Sequence, residues 1–248
     1  IPGETAWGAP VTTKKMIKAV HDLGFNTIRV PVTWGTMVKD DGSIDAAWIS
    51  RVEDVINYCI DEDMYVILNA HHDGADNVGT DKEGKSVHGW LDIGGTDEEF
   101  AAVEAKYQKM WSSIANYFKN YDEHLIFESM NEVYSGSGDK NLQQDMERIN
   151  KLNKTFGAAV RSTGSNNAQR WLLLASRNTN VKSLYKNADK FEIPNDGTDR
   201  YMVSVHDYDD FKIGGYTDSM NESKSDSYAN QFKKLKAAFV DKGIPVVV

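Results

Sequence analysis

Two hydrophobic rhythms alternate along the chain. Short apolar runs bounded by turn residues have the length and composition of buried strands, and longer stretches with apolar positions three and four apart have the spacing of amphipathic helices. Thr12 and Thr13 offer an N-cap for a first helix with Met16, Ile17, Ala19, Val20 and Leu23 on its inner face and Gly24 at its end. Residues 26–32 (NTIRVPV) then read as a strand, 46–62 as a helix through Ile49, Val52, Val55, Ile56, Cys59 and Ile60, and 65–69 as a strand. A Gly-containing loop over 74–95 carries His88 and Trp90 and leads into a helix over 97–120, whose Phe100, Tyr107, Met110, Trp111, Ile114 and Phe118 read as core. The apolar run 125–127 opens the segment LIFESMNEVY; it is followed by a helix over 141–161, a strand over 171–175, a short helix over 181–185, a strand over 201–206, a helix over 226–242 and a strand over 244–248. This unbroken alternation predicts βαβ units in a parallel sheet, and no repeat or linker divides residues 1–248 into more than one domain.

Composition narrows the function classes. The 248 residues are 40% hydrophobic and 26% charged, enough to bury one sizeable core. A net charge of -9 without a Lys/Arg stripe argues against nucleic acid as partner and favours a neutral or cationic substrate. No apolar run reaches the roughly 18 residues of a membrane span, and the lone Cys59 falls on the apolar face of its helix, where it reads as a small hydrophobe. The absence of an initiator Met at Ile1 suggests a processed or trimmed product.

The chemistry-bearing side chains gather where strands end. Arg29 lies inside a strand and must find a buried carboxylate, with Trp34 just beyond; His71 and His72 follow the second strand, Asn131 and Glu132 the third, His206 and Tyr208 the fifth. In an α/β barrel the strand C-termini converge on the active site. Glu132 alone could be a helix cap, but four such exits in one chain favour a catalytic carboxylate. Glu128, deeper in the same strand, is a rival acid and is read as the partner of Arg29.

NTIRVPVTW, VILNAHHDG, LIFESMNEV and MVSVHDY, in this order, resemble glycoside hydrolase family 5, and the opening ETAWG with the Trp-containing loop is most like its subfamily 4 endoglucanases and xyloglucanases. The resemblance implies a (β/α)8 TIM barrel, incomplete in this sequence: the first strand and everything after the seventh are missing, so 1–248 is a single catalytic domain truncated at both ends. It implies an endo-acting retaining β-glycanase cutting β-1,4-glucan-type plant polysaccharides (cellulose, β-glucan or xyloglucan), with no cofactor and no metal. Glu132 would be the proton donor and general acid/base, its carboxyl held up by an anionic partner, and Asn131 would hold the sugar 2-hydroxyl. Arg29 would orient the nucleophile, His71 and His72 would line the subsite of the reacting sugar, and His206 with Tyr208 would bracket the carboxylates. The nucleophile itself is expected as a Glu just after Val248. Ser129 and Val133 depart from the usual Gly and Pro of the motif, and Asp207 from an apolar or aromatic position. A secreted, extracellular monomer is expected, with or without further domains of a polysaccharide-degrading protein; no nucleic acid and no membrane are expected as partners.

Trp7, Trp34 and Trp90 are candidate platforms for sugar faces, each with loop packing as the alternative. Two other functions remain open on the sequence: a metal-dependent barrel hydrolase using His71, His72, Asp73 and His206, and a carbohydrate-binding barrel without catalysis.

Overall fold

A computed structural model describes residues 3–5, 8–74, 77–80, 86–136, 140–208 and 222–248, with backbone only at 77–80, 86–88 and 222–228. Its elements, in order, are α1 (Lys14–Asp22), β1 (Thr27–Val30), α2 (Ala46–Ile60), β2 (Tyr65–Asn69), β3 (Asn77–Thr80), β4 (Ser86–His88), α3 (Asp97–Phe118), β5 (Leu125–Glu128), α4 (Leu142–Ser162), β6 (Leu172–Asn180), α5 (Val181–Lys186), β7 (Tyr201–His206), α6 (Glu222–Ala238) and β8 (Val246–Val247). Six strands run parallel in the order β1-β2-β5-β6-β7-β8 and curl into a half-barrel, the partial form of the expected (β/α)8 architecture.

Local chemistry explains where the helices begin. The Thr13 hydroxyl caps α1 by accepting from the Met16 amide, Asp45 caps α2 through the Trp48 amide, and Thr96 and Glu99 form a reciprocal capping box on α3. The core lies between sheet and helices: the fully buried Trp111 of α3 packs on Phe127 of β5 and Phe156 of α4, with ring centroids 5.7 and 4.6 Å apart. Truncating such a ring costs about 3–5 kcal/mol.

Three elements differ from expectation. The 74–95 loop contains the antiparallel pair β3 and β4, whose register shifts between Asn77 and Gly79. β6 does not stop at Ala175 but runs on to Asn180 through an irregularity in its pairing with β7, where Asn178 and Thr179 adopt φ of 51° and 42°. The last helix ends at Ala238 rather than 242, because Val240–Lys242 tightens into a 3-10 turn.

Ser129 fixes the segment between β5 and Glu132. Its carbonyl accepts from Tyr107 Oη at 2.7 Å and Trp111 Nε1 at 3.1 Å, its amide donates to Leu173 O at 2.9 Å, and its hydroxyl accepts from the Ala175 amide at 3.0 Å. The side chain thus carries a ladder contact that backbone would otherwise make, which gives this departure from Gly a structural role.

Candidate active site

The site's floor is an ion pair that spans the concave side of the sheet. Arg29 of β1 reaches past β2 to Glu128 of β5, with Nε 2.6 Å from Oε2 and Nη2 3.0 Å from Oε1. Glu128 is fully buried and also accepts from Ser204 Oγ of β7 at 3.1 Å, while Arg29 Nη2 donates to Asn131 Oδ1 at 2.9 Å. The cation inside β1 therefore has the carboxylate partner expected of it. Its second bond fixes the side-chain amide of Asn131 with the oxygen turned down and the NH2 group left to point elsewhere.

Glu132 stands four residues beyond this floor and is held differently. Its Oε1 lies 2.5 Å from His206 Nδ1 and accepts from Tyr208 Oη at 2.8 Å, so the exits of β5 and β7 meet on one oxygen. The His206 hydrogen bond, supported by Tyr208, holds the Glu132 carboxyl below its ordinary value against the opposing effect of burial. The sequence led to the opposite direction through an anionic neighbour; the partners among the described residues are donors, and donors stabilise the ionised form.

His71 lies beside this group as a neutral donor. Burial, with the Arg29 charge adding to it, lowers its pKa from 6.5 to about 3. Asn69, itself fully buried, donates through Nδ2 to His71 Nδ1 at 3.1 Å and accepts the Val32 amide on Oδ1 at 3.2 Å, which leaves the His71 proton on Nε2. The His72 ring packs edge-on against His71 at 4.6 Å, and burial lowers its pKa as well.

Several expectations need correction. Trp34 is no sugar platform: it is fully buried, with Nε1 donating to Asn69 O at 2.8 Å. Asp73, offered as a metal ligand with the histidines, instead spends its fully buried carboxylate on the amides of Trp34 and Gly35 and on Trp90 Nε1. Among the described residues no group of three or more His, Cys, Asp or Glu side chains could hold a metal ion. Trp90 is half-buried. Trp7 and the side chain of His88 lie outside the described residues.

Other polar groups escaped the sequence. Asn69 closes the apolar run of β2 and Ser204 lies between two valines of β7, where apolar neighbours hide both. Arg177 pairs with Asp145 of α4 at 2.7 Å, both buried, and the signal available was only an Arg close behind the apolar run LLLA. Arg177 also borders a 560 Å³ pocket with Tyr134, Asn178, Asn180, Lys182 and Asn187 beside the loop that carries Glu132. A second pocket of 230 Å³ lies between Arg29, Ser204, His206, Tyr208, Val247 and Val248.

With the geometry in place, known proteins give it context. The sequence model described as "Cellulase (glycosyl hydrolase family 5)" matches residues 1–248. Endoglucanase A of Paenibacillus barcinonensis is 32% identical over 273 residues, covering 100% of this chain and 66% of that protein. Endoglucanase B of Clostridium cellulovorans is 38% identical over 212 residues, covering 83% of this chain and 44% of the relative, so the chain spans about half to two thirds of these relatives' lengths. Among solved structures, a family 5 xyloglucanase from Paenibacillus pabuli superposes with a TM-score of 0.86 at 36% identity, covering 99% of this chain and 72% of that one. A GH5-4 broad specificity endoglucanase from Bacteroides salanitronis superposes with a TM-score of 0.87 at 32% identity, covering 100% and 69%.

Proposed function

Because the chain belongs to glycosyl hydrolase family 5, the cellulase family, we propose that the protein it is part of is an endo-acting β-glucanase that hydrolyses β-1,4-linked glucans by double displacement with retention. The observation that carries the reading is Glu132 at a strand exit, gripped by His206 and Tyr208 and lying above the Arg29–Glu128 floor. Glu132 is the acid/base: it gives its proton to the oxygen of the departing sugar and then, ionised, takes one from the water that attacks the glycosyl-enzyme.

The neighbours divide the remaining work. Asn131, its oxygen tied to Arg29, offers its NH2 group to the sugar 2-hydroxyl, and neutral His71 offers Nε2–H without adding a charge that would compete for the carboxylates. Glu128, fully buried under Arg29 and Ser204, serves the floor and not the substrate. The nucleophile, expected as a Glu just after Val248, would enter the pocket bordered by Arg29, His206, Tyr208 and Val248. Retention needs the two carboxyls about 5–5.5 Å apart. An anion there would also raise the Glu132 carboxyl from its present depressed state toward one that can donate a proton. The substrate is a polymer too large to cross a membrane, and on that ground we place the protein outside the cell.

The test is to incubate the protein with a soluble β-1,4-glucan and follow reducing ends together with the anomeric proton signals of the first product. New reducing ends with β configuration support the reading. Release of the α-anomer contradicts double displacement, and retardation in a glucan-containing gel without new reducing ends replaces the enzyme by a binding barrel.

A further inference from the structure

We propose that Asp73 is a positioning residue that sets Trp90 as a fixed platform for one sugar ring of the bound glucan, a reading that rests on the function proposed above. Asp73 follows β2 at the mouth of the half-barrel and is 0% exposed. Its Oδ1 accepts from the Gly35 amide at 2.7 Å and from Trp90 Nε1 at 2.8 Å, and its Oδ2 accepts from the Trp34 amide at 3.0 Å. One carboxylate thus ties the loop after β1 to the distal end of the loop after β2. A buried anion is tolerated only when donors surround it, and here the donor set includes the indole it orients.

The surroundings are shaped to this indole. A Cβ on Gly35 would stand 2.4 Å from Trp90 Cδ1 and 2.7 Å from Nε1, so only glycine lets the ring edge approach. A Cβ on Gly89 would meet Gly74 O at 1.8 Å and Asp73 O at 2.4 Å, and the Leu91 amide donates to Asp73 O at 2.7 Å, which closes the base of the loop around Trp90. The Lys106 ammonium lies 4.5 Å from the ring centroid and covers one face. Edge and one face are occupied, yet the residue keeps exposed surface. Trp34, held by the same carboxylate through its amide, is completely buried; the clamp buries one tryptophan and presents the other. An immobilised aromatic face is a means of gripping the apolar face of a pyranose at low entropic cost.

The experiment measures cellohexaose binding and iodide quenching of tryptophan fluorescence in the whole protein and its Asp73→Asn, Trp90→Phe, double and Gly35→Ala variants. An amide in place of the carboxylate keeps one acceptor oxygen, removes the charge and sets an NH2 group against at least one of the three N–H donors, which should loosen the grip on the indole. We expect Asp73→Asn and Trp90→Phe each to weaken binding about tenfold, and the double variant to bind no worse than Trp90→Phe alone, because the first residue acts through the second. Asp73→Asn should also raise iodide quenching above the parent's level as the indole loosens, a rise that is absent when Trp90 is already Phe. Gly35→Ala, which leaves the carboxylate in place, should weaken binding in the same way and supplies the answer if Asp73→Asn does not fold. An Asp73→Asn loss that persists in the Trp90→Phe background, or unchanged affinity in both Asp73→Asn and Gly35→Ala, overturns the proposal. A parent protein that binds no cellohexaose overturns the platform and the glucanase reading together, while unchanged quenching with intact glucan binding overturns only the clamp.

Discussion

Arg29 and Glu128, 99 residues apart in sequence, meet in a two-pronged ion pair at 2.6 and 3.0 Å across the inside of the half-barrel. This pair decides which of two glutamates is free for chemistry. Glu128 has Arg29 and Ser204 on its oxygens and no exposed surface, whereas Glu132 is bound by groups that also border the open pocket.

Arg29→Met should therefore destabilise the fold by about 3 kcal/mol, at the low end for a broken buried pair because the Arg29 side chain is 28% exposed while that of Glu128 is 0% exposed. Urea unfolding of the variant measures it. A midpoint equal to the parent's would mean that Glu128 finds compensation elsewhere.

His71 makes the fold sensitive to acid. Its pKa falls from 6.5 when unfolded to about 3 when folded, so the unfolded chain binds a proton that the folded chain refuses. Its contribution is complete above pH 6.5 and is lost progressively as pH drops toward about 3. His71→Gln should flatten the stability difference between about pH 7 and pH 4, by on the order of a few kcal/mol. A variant with the parent's slope would assign the acid sensitivity to other groups.

Tyr208 and His206 together hold the Glu132 carboxyl down, with His206 the larger influence. A group with a depressed folded pKa stabilises above its unfolded pKa and loses that contribution as pH falls through the folded one. In Tyr208→Phe the Glu132 carboxyl, followed by carbon-13 NMR, should titrate at higher pH than in the parent but still below 4.5. A shift to or beyond that ordinary value would make Tyr208 the dominant partner.

Arg170 is a purely structural counterpart to Arg29. The residue is 2% exposed, and its guanidinium donates to the carbonyls of Phe118, Tyr121, Asp122 and Leu125, closing the end of α3 against the start of β5. Arg170→Met removes the buried donors that cross-link these carbonyls and should cost about 3–5 kcal/mol while leaving ligand binding intact in the folded fraction. Equal losses in both would connect this end of the sheet to the site.

Much of the architecture was legible because parallel strands are buried on both faces and read as apolar runs. Arg29 was legible for the converse reason: a charge within such a run demands a partner, and Glu128 was the carboxylate inside another strand, one strand beyond β2. The structure departs where long-range packing overrides local signals. Trp34 looked like a loop residue but folds beneath the strand exits onto Asn69 O, and Asp73 looked like a ligand but serves the loops around it. The extension of β6 to Asn180 depends on left-handed φ at Asn178 and Thr179, which an Asn permits without announcing.

The central claim is that Glu132 is the acid/base, and Glu132→Gln in the active enzyme tests it most directly. The variant should lose at least about 100-fold in rate on cello-oligosaccharides, whose leaving group needs a proton, and far less on an aryl glucoside whose leaving group departs without one. Added azide should then restore turnover on the aryl substrate and yield a β-glycosyl azide. Equal losses on both substrates with no azide product would contradict the assignment and return the role to another carboxylate, with Glu128 the first to examine.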